Sequence, residues 1–142
     1  MILYLDTSAL VKLYVKEPHS DEVRSLVQKA SLVATHVIAY PEARAGFAKA
    51  WRMGRISDDV LTQLVVWLDE GWGGFDVISV DEPLARRAGV LADTFGLRGY
   101  DSVHLAAAEK LAAGAGDGRL CFVCFDTSLT RAAEGLGLKT PW

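Results

Sequence analysis

Six consecutive apolar residues, Leu120-Cys121-Phe122-Val123-Cys124-Phe125, run without a polar break. A strand with one wet face alternates apolar and polar side chains, so a strand without alternation is buried on both faces. That restricts the chain to a sheet covered by helices on each side, the arrangement of parallel α/β folds. Three further short apolar runs, Ile2–Leu5, Leu32–Thr35 and Val77–Val80, are separated by helical patterns. Strands alternating with helices point the same way. Leu138–Thr140 is a candidate short edge strand.

The helices have readable punctuation. Ala9–Tyr14 follows the first run, and Asp21-Glu22 open a second helix reaching about Ala30. Pro41 suits the first turn of a third, where a missing N–H goes unnoticed. Its Ala43, Gly46, Phe47, Ala50 and Trp51 recur at the spacing of a buried face, which places Trp51 in the core. Ser57-Asp58-Asp59 cap a helix with Val60, Leu61, Leu64, Val65 and Leu68 at the same spacing, and its Trp67 is also expected inside. Gly71-Trp72-Gly73-Gly74 reads as a loop or sharp turn. Asp81-Glu82-Pro83 start a helix ending near Gly96, Asp101 starts an alanine-rich one reaching about Ala113, and Thr127-Ser128 cap the last.

At 142 residues, with no repeat, linker or low-complexity tract, residues 1–142 read as a single domain. The net charge of −3 gives no global attraction to nucleic acid. That counts against a passive nucleic-acid-binding module more than against an enzyme whose acids bind metal. No apolar run approaches the roughly 20 residues that span a bilayer. Asp6 cuts the first run short and no basic segment precedes it, so a signal peptide is not expected and the expected location is the cytoplasm. Cys121 and Cys124 have redox spacing, but a redox pair belongs at a strand-to-helix junction. Inside a strand, residues three apart point to opposite faces, and zinc needs more than two ligands, so both are expected in the core.

Four acids stand at the seams between elements. Asp6 ends the first run, Glu42 opens the helix after the second, Asp101 opens the alanine-rich helix and Asp126 follows the last run. The carboxyl ends of α/β strands share one edge, where ligands bind. Clustered carboxylates repel, and a site that keeps several ionised holds a divalent cation. The competing reading is helix capping, although a Ser or Thr follows Asp6, Asp101 and Asp126 and could cap instead. Asp21, Asp58, Asp59 and Asp81 also sit at helix starts. Pattern alone leaves both readings open.

A resemblance narrows them. Ile2-Leu-Tyr-Leu-Asp6-Thr-Ser-Ala-Leu-Val-Lys-Leu-Tyr14 resembles the opening of PIN-domain proteins, specifically the VapC-type toxins of toxin–antitoxin pairs. Tyr40-Pro41-Glu42-Ala43-Arg44-Ala45-Gly46-Phe47 resembles that family's second acidic motif, and Arg98-Gly99-Tyr100-Asp101-Ser102-Val103-His104-Leu105-Ala106-Ala107-Ala108 its third. Phe125-Asp126-Thr127-Ser128-Leu129-Thr130-Arg131-Ala132-Ala133 resembles its closing segment, with Gly135-Leu136-Gly137-Leu138 behind it. The motifs occur in order and span the chain. The resemblance implies a PIN-like three-layer α/β fold, with a central, mainly parallel sheet of four or five strands flanked by helices.

It also implies a metal-dependent endoribonuclease with Asp6, Glu42, Asp101 and Asp126 as catalytic residues. For phosphodiester hydrolysis the expected cofactor is Mg²⁺ or Mn²⁺, with Asp6 and Asp101 as direct ligands. Asp126 would be a further ligand, direct or through water, and Glu42 would orient or deprotonate the attacking water. The implied partners are an RNA substrate, a VapB-like antitoxin and a second copy in a homodimer. Thr7 and Ser8 either cap the first helix or support the acids. His104, three residues after Asp101, is expected to pack or hydrogen-bond rather than act as a general acid, and His19 and His36 show no partner pattern. Lys12 with Lys16, and Arg44, Lys49, Arg52 and Arg55, are candidate backbone contacts or a solvated face. Trp51, Trp67 and Trp72 are candidates for base stacking or an interface, although helical spacing favours the core for Trp51 and Trp67. A response-regulator-like phosphoacceptor, a haloacid-dehalogenase-type phosphatase and a Rossmann nucleotide binder each lack their motif here. The alternative function is a catalytically silent PIN-like domain that binds RNA or protein.

Overall fold

The computed structural model describes all 142 residues. Strands β1 (Ile2–Leu5), β2 (Leu32–His36), β3 (Asp76–Ile78) and β4 (Leu120–Val123) form one parallel sheet in the order β3-β2-β1-β4. Helices α1 (Thr7–Tyr14), α2 (Ser20–Lys29), α3 (Ala39–Arg52) and α4 (Asp58–Trp72) cover one face. Helices α5 (Glu82–Phe95), α6 (Gly99–Ala115) and α7 (Thr127–Gly135) cover the other. This is the three-layer α/β architecture that the sequence implies.

Strand alternation builds both cores at once. Leu3, Leu5, Cys121 and Val123 join the core under α1–α4, whereas Tyr4, Leu120, Phe122 and Cys124 join the core under α5–α7. Both faces of β4 are dry, which is why its sequence cannot alternate. The same split puts Cys121 and Cys124 on opposite faces, both free and buried. Burial pushes both thiols up, that of Cys124 to about 12, so neither is a reactive thiolate. In α6, Leu105, Ala106, Ala107 and Ala108 are all buried. A turn enclosed on every side shows no apolar stripe, and its alanines let neighbours come close.

Several expectations need correction. The fifth strand contracts to one bridge between Cys121 and Lys139, with the Phe122 N–H donating to the Lys139 carbonyl at 2.8 Å. Beyond it Pro141 has no N–H with which to extend a ladder. β3 is the short segment Asp76–Ile78 rather than Val77–Val80, since the chain leaves the sheet for the Asp81 cap of α5. Gly71 and Trp72 are helical, not loop. Trp51 and Trp67 are 42% and 49% exposed, not in the core. The buried stripe of α3 is Ala39, Ala43 and Phe47, and it ends before Trp51, whose indole N–H donates to Asp58 across the α3–α4 turn.

The strand order positions the site. From β1 the chain builds outward through β2 to β3, then returns to the far side of β1 as β4. Between β1 and β4 the order reverses, and such a switch point opens a crevice at the strand carboxyl ends. Leu5 pairs with Val123 there, and the Asp6 N–H bonds the Val123 carbonyl at 3.1 Å. Asp6 and Asp126 therefore both follow strand ends at this switch point.

Candidate active site

Asp6 caps α1, its Oδ1 accepting the Ala9 N–H at 2.9 Å and the Ser8 hydroxyl at 2.7 Å. Asp126, rather than Thr127 or Ser128, caps α7, with Oδ1 accepting the Leu129 N–H at 2.8 Å. Asp101, in the first turn of α6, takes the Arg98 Nε on Oδ2 at 2.9 Å. Glu42, in the first turn of α3, accepts on Oε1 from the Thr7 hydroxyl at 2.8 Å and from His104 Nε2 at 3.1 Å. Each carboxylate thus ties down one oxygen. The other, Asp6 Oδ2, Glu42 Oε2, Asp101 Oδ1 or Asp126 Oδ2, has no protein donor. Capping and a functional role do not compete, because a carboxylate has two oxygens.

The four acids share one electrostatic neighbourhood. The charge of Asp101 acts on Asp6, Arg98 senses Asp101, Asp126 and Glu42, and Cys124 senses Asp6 and Asp126. Of the remaining acids at helix starts, three are occupied elsewhere, and Asp59 is exposed in the first turn of α4. Asp81 caps α5, Asp21 pairs with Arg24, and Asp58 holds the Trp51 indole. Asp6 is 4% exposed, and burial holds its carboxyl above the ordinary range. The neighbouring His104 and the bonds from Ser8 and Ala9 pull it back, while Asp101 pushes it further up. A buried carboxylate beside a second acid, without a Lys or Arg of its own, is the condition that a bound cation relieves.

A polar network supports the acids from beneath. Ser8 accepts the Phe125 N–H at 3.1 Å and so joins the start of α1 to the segment before Asp126. His104 is buried and meets the Tyr4 hydroxyl through Nδ1 at 3.1 Å, and Thr7 and Glu42 through Nε2 at 3.1 Å each. Burial pushes Glu42 up, but the hydrogen bonds from His104 and Thr7 outweigh it and hold the carboxyl below its ordinary value. His36 lies against His104 with ring centroids 3.9 Å apart. Sequence reasoning passed over His36. The available signal was its place at the end of β2, the strand-end position that Asp6 follows in β1. Lys12 is not part of a free basic stripe, because it pairs with Glu17 at 2.8 Å and lies 4.6 Å from the centre of the Phe125 ring.

Donor chemistry decides which atoms can hold a metal. His36, Glu42 and His104 offer ligand atoms within 4.8 Å of one another. His36 Nδ1, however, accepts the Ile38 N–H at 3.0 Å, so the neutral ring carries its proton on Nε2. Burial, with the neighbouring His104 acting in the same direction, keeps this ring neutral, its pKa lowered to about 3. Its Nε2, buried without a hydrogen-bond partner, is a donor rather than a ligand. His104 Nε2 faces a carboxylate and donates to it. With both histidines turned to hydrogen bonding, the free carboxylate oxygens remain. Hard oxygen donors suit a hard divalent cation rather than zinc.

Comparison with known proteins follows the same lines. A match to the PIN domain family spans residues 3–135. Ribonuclease VapC45 of Mycobacterium tuberculosis (strain CDC 1551 / Oshkosh) is 30% identical over 138 residues, covering 97% of this chain and 93% of that protein. Ribonuclease VapC46 of M. tuberculosis (strain ATCC 25618 / H37Rv) is 34% identical over 137 residues, covering 96% and 93%. Among solved structures, FitAcB from Neisseria gonorrhoeae superposes with a TM-score of 0.71 at 21% identity, covering 99% of this chain and 96% of that one. A toxin–antitoxin complex from Klebsiella pneumoniae gives 0.66 at 19% identity, covering 99% and 98%.

Proposed function

The chain belongs to the PIN domain family, and from that premise we propose that it is a metal-dependent endoribonuclease acting as the toxin of a toxin–antitoxin pair. The observation that carries this reading is the set of four carboxylates at the switch point, each anchored by one oxygen and free at the other. Relatives named as ribonucleases support the reaction class, and likeness to a toxin–antitoxin complex supports the biological setting. The intact acidic set speaks against a silent domain.

Asp6 and Asp101 would hold Mg²⁺ or Mn²⁺, and Asp126 would complete the site directly or through water. A cation bound there lowers the pKa of water and neutralises charge on the transferring phosphate. The residues of the chain do the rest. Asp6 is presented by the first turn of α1 and cannot drift, because Ser8 and the Ala9 N–H hold its other oxygen. Glu42 is kept ionised and offers Oε2 to orient the attacking water and accept its proton. Arg98, 80% exposed beside Asp101, is placed to meet a backbone phosphate of the RNA.

Incubating the purified protein with RNA and Mn²⁺ tests this reading. Cleavage is expected, with loss in EDTA and a fall of at least about a hundredfold in Asp6→Asn and Asp101→Asn, since cation contributions amount to several kcal/mol. Cleavage that survives EDTA, or full activity in either variant, would overturn it. The accompanying partners would be a VapB-like antitoxin and a second copy of the chain. Co-expression with the antitoxin should relieve growth arrest, and light scattering should give twice the chain mass. The proposed site of action is the cytoplasm; no helix is long and apolar enough to cross a membrane.

A further inference from the structure

Resting on the nuclease reading above, we propose that Tyr4 and His104 form a positioning pair for Glu42, in which the Tyr4 hydroxyl fixes the His104 tautomer and His104 in turn fixes the carboxylate. An ionised carboxylate only accepts hydrogen bonds, so the nitrogen facing Glu42 Oε1, His104 Nε2, carries the ring proton. Nδ1 of the neutral ring is then an acceptor. The Tyr4 hydroxyl, 3.1 Å away, donates to it. The proton order runs from Tyr4 O–H to Nδ1, and from Nε2–H to Glu42.

The surroundings lock this order. Tyr4 is fully buried in β1 and stacks on Phe122 at 5.5 Å, so its hydroxyl cannot swing away. His36 walls one face of the His104 ring at 3.9 Å. The Thr7 hydroxyl converges with His104 Nε2 on the same Glu42 oxygen, and two donors on one oxygen set the rotation of the carboxylate. Without the Tyr4 hydroxyl the His104 proton can move to Nδ1. Nε2 would then present a lone pair to Oε1, and the carboxylate would turn from its working direction. The second histidine ligand offered by donor count is in this reading a hydrogen-bond donor.

An epistasis experiment tests the pair. Tyr4→Phe removes one oxygen and keeps the ring. His104→Gln supplies an amide N–H near the position of Nε2 that donates whatever Tyr4 does. Tyr4→Phe is expected to lower kcat for RNA cleavage by roughly tenfold with KM little changed. His104→Leu should lose more, His104→Gln should retain most of the activity, and Tyr4→Phe added to His104→Gln should cost nothing further. A merely structural role for Tyr4 would cost the same in both backgrounds, and that result would overturn the proposal. Imidazole ¹⁵N spectra supply a readout that needs no catalysis, with the His104 proton on Nε2 in the parent protein and shifting toward Nδ1 in Tyr4→Phe. A parent protein with its proton on Nδ1 would overturn the proposal. If the parent protein cleaves no RNA, the nuclease reading fails, and the ¹⁵N spectra still decide whether Tyr4 sets the His104 proton.

Discussion

Replacing Asp6 by asparagine separates two duties that the residue combines. The amide oxygen can still accept from Ser8 and Ala9, so the α1 cap survives, while a buried charge beside Asp101 disappears. The metal-free Asp6→Asn protein is therefore expected to melt no lower than the parent although it is inactive; a large drop in Tm would mean that the charge itself holds the fold. His36 gives a pH signature instead. It is neutral in the fold down to about pH 3, whereas the unfolded chain binds its proton near 6.5. Between those values the unfolded state holds more protons, so stability falls as pH drops, by about 2 kcal/mol from pH 7 to 5. Asp6, whose carboxyl is raised, works in the opposite sense at the acid end of that window. Urea midpoints at pH 7 and 5 should differ more in the parent than in His36→Leu, and equal differences would remove His36 as the cause. The four acids were legible in the sequence because they stand at the seams between elements, inside motifs that resemble those of a known family. His36 was not, because a lone histidine acquires meaning only when the α6 helix brings His104 to within 3.9 Å of it.

At the level of elements, the strands and most helices follow from periodicity, and the misreadings at Gly71 and Trp51 share one cause. A glycine or a tryptophan was assigned from its neighbours in sequence, while its fate was set by a distant partner. Gly71 lies inside α4 because α4 passes α1 closely; a Cβ there would stand 2.7 Å from the Tyr14 hydroxyl oxygen but 3.8 Å from the nearest ring carbon. Only the hydroxyl is in the way. Glycine in a helix costs about 1 kcal/mol relative to alanine, a penalty that the close approach justifies. Gly71→Ala alone is expected to destabilise the protein. In a Tyr14→Phe background the same substitution should stabilise it by up to about 1 kcal/mol, as the helix propensity is recovered without the clash. Denaturant unfolding of the four proteins checks this, and an equal effect of Gly71→Ala in both backgrounds would show that the crowding at Tyr14 is immaterial.

At the scale of the molecule, the sheet order β3-β2-β1-β4 converts four acids spread over some 120 residues into one crevice. Periodicity revealed the strands but not their order, since the pairing of β1 with β4 is a contact across the whole chain. That topology has a thermodynamic consequence. Only the folded chain assembles Asp6, Glu42, Asp101 and Asp126, so a cation that binds the cluster binds the native state and stabilises it by RT ln(1 + [L]/Kd). At one hundred times Kd this amounts to about 2.7 kcal/mol, which for a domain of this size raises Tm by roughly 10 °C. Mn²⁺ titrated into the EDTA-treated protein should therefore raise Tm in a saturable manner. Asp101→Asn should weaken the response and Asp6→Asn should abolish it. Asp59→Asn, an acid at the start of α4 with no part in the cluster, should leave the response intact. A shift of equal size in all four proteins would mean nonspecific binding to a chain of net charge −3 and would remove the thermodynamic support for an acidic metal site.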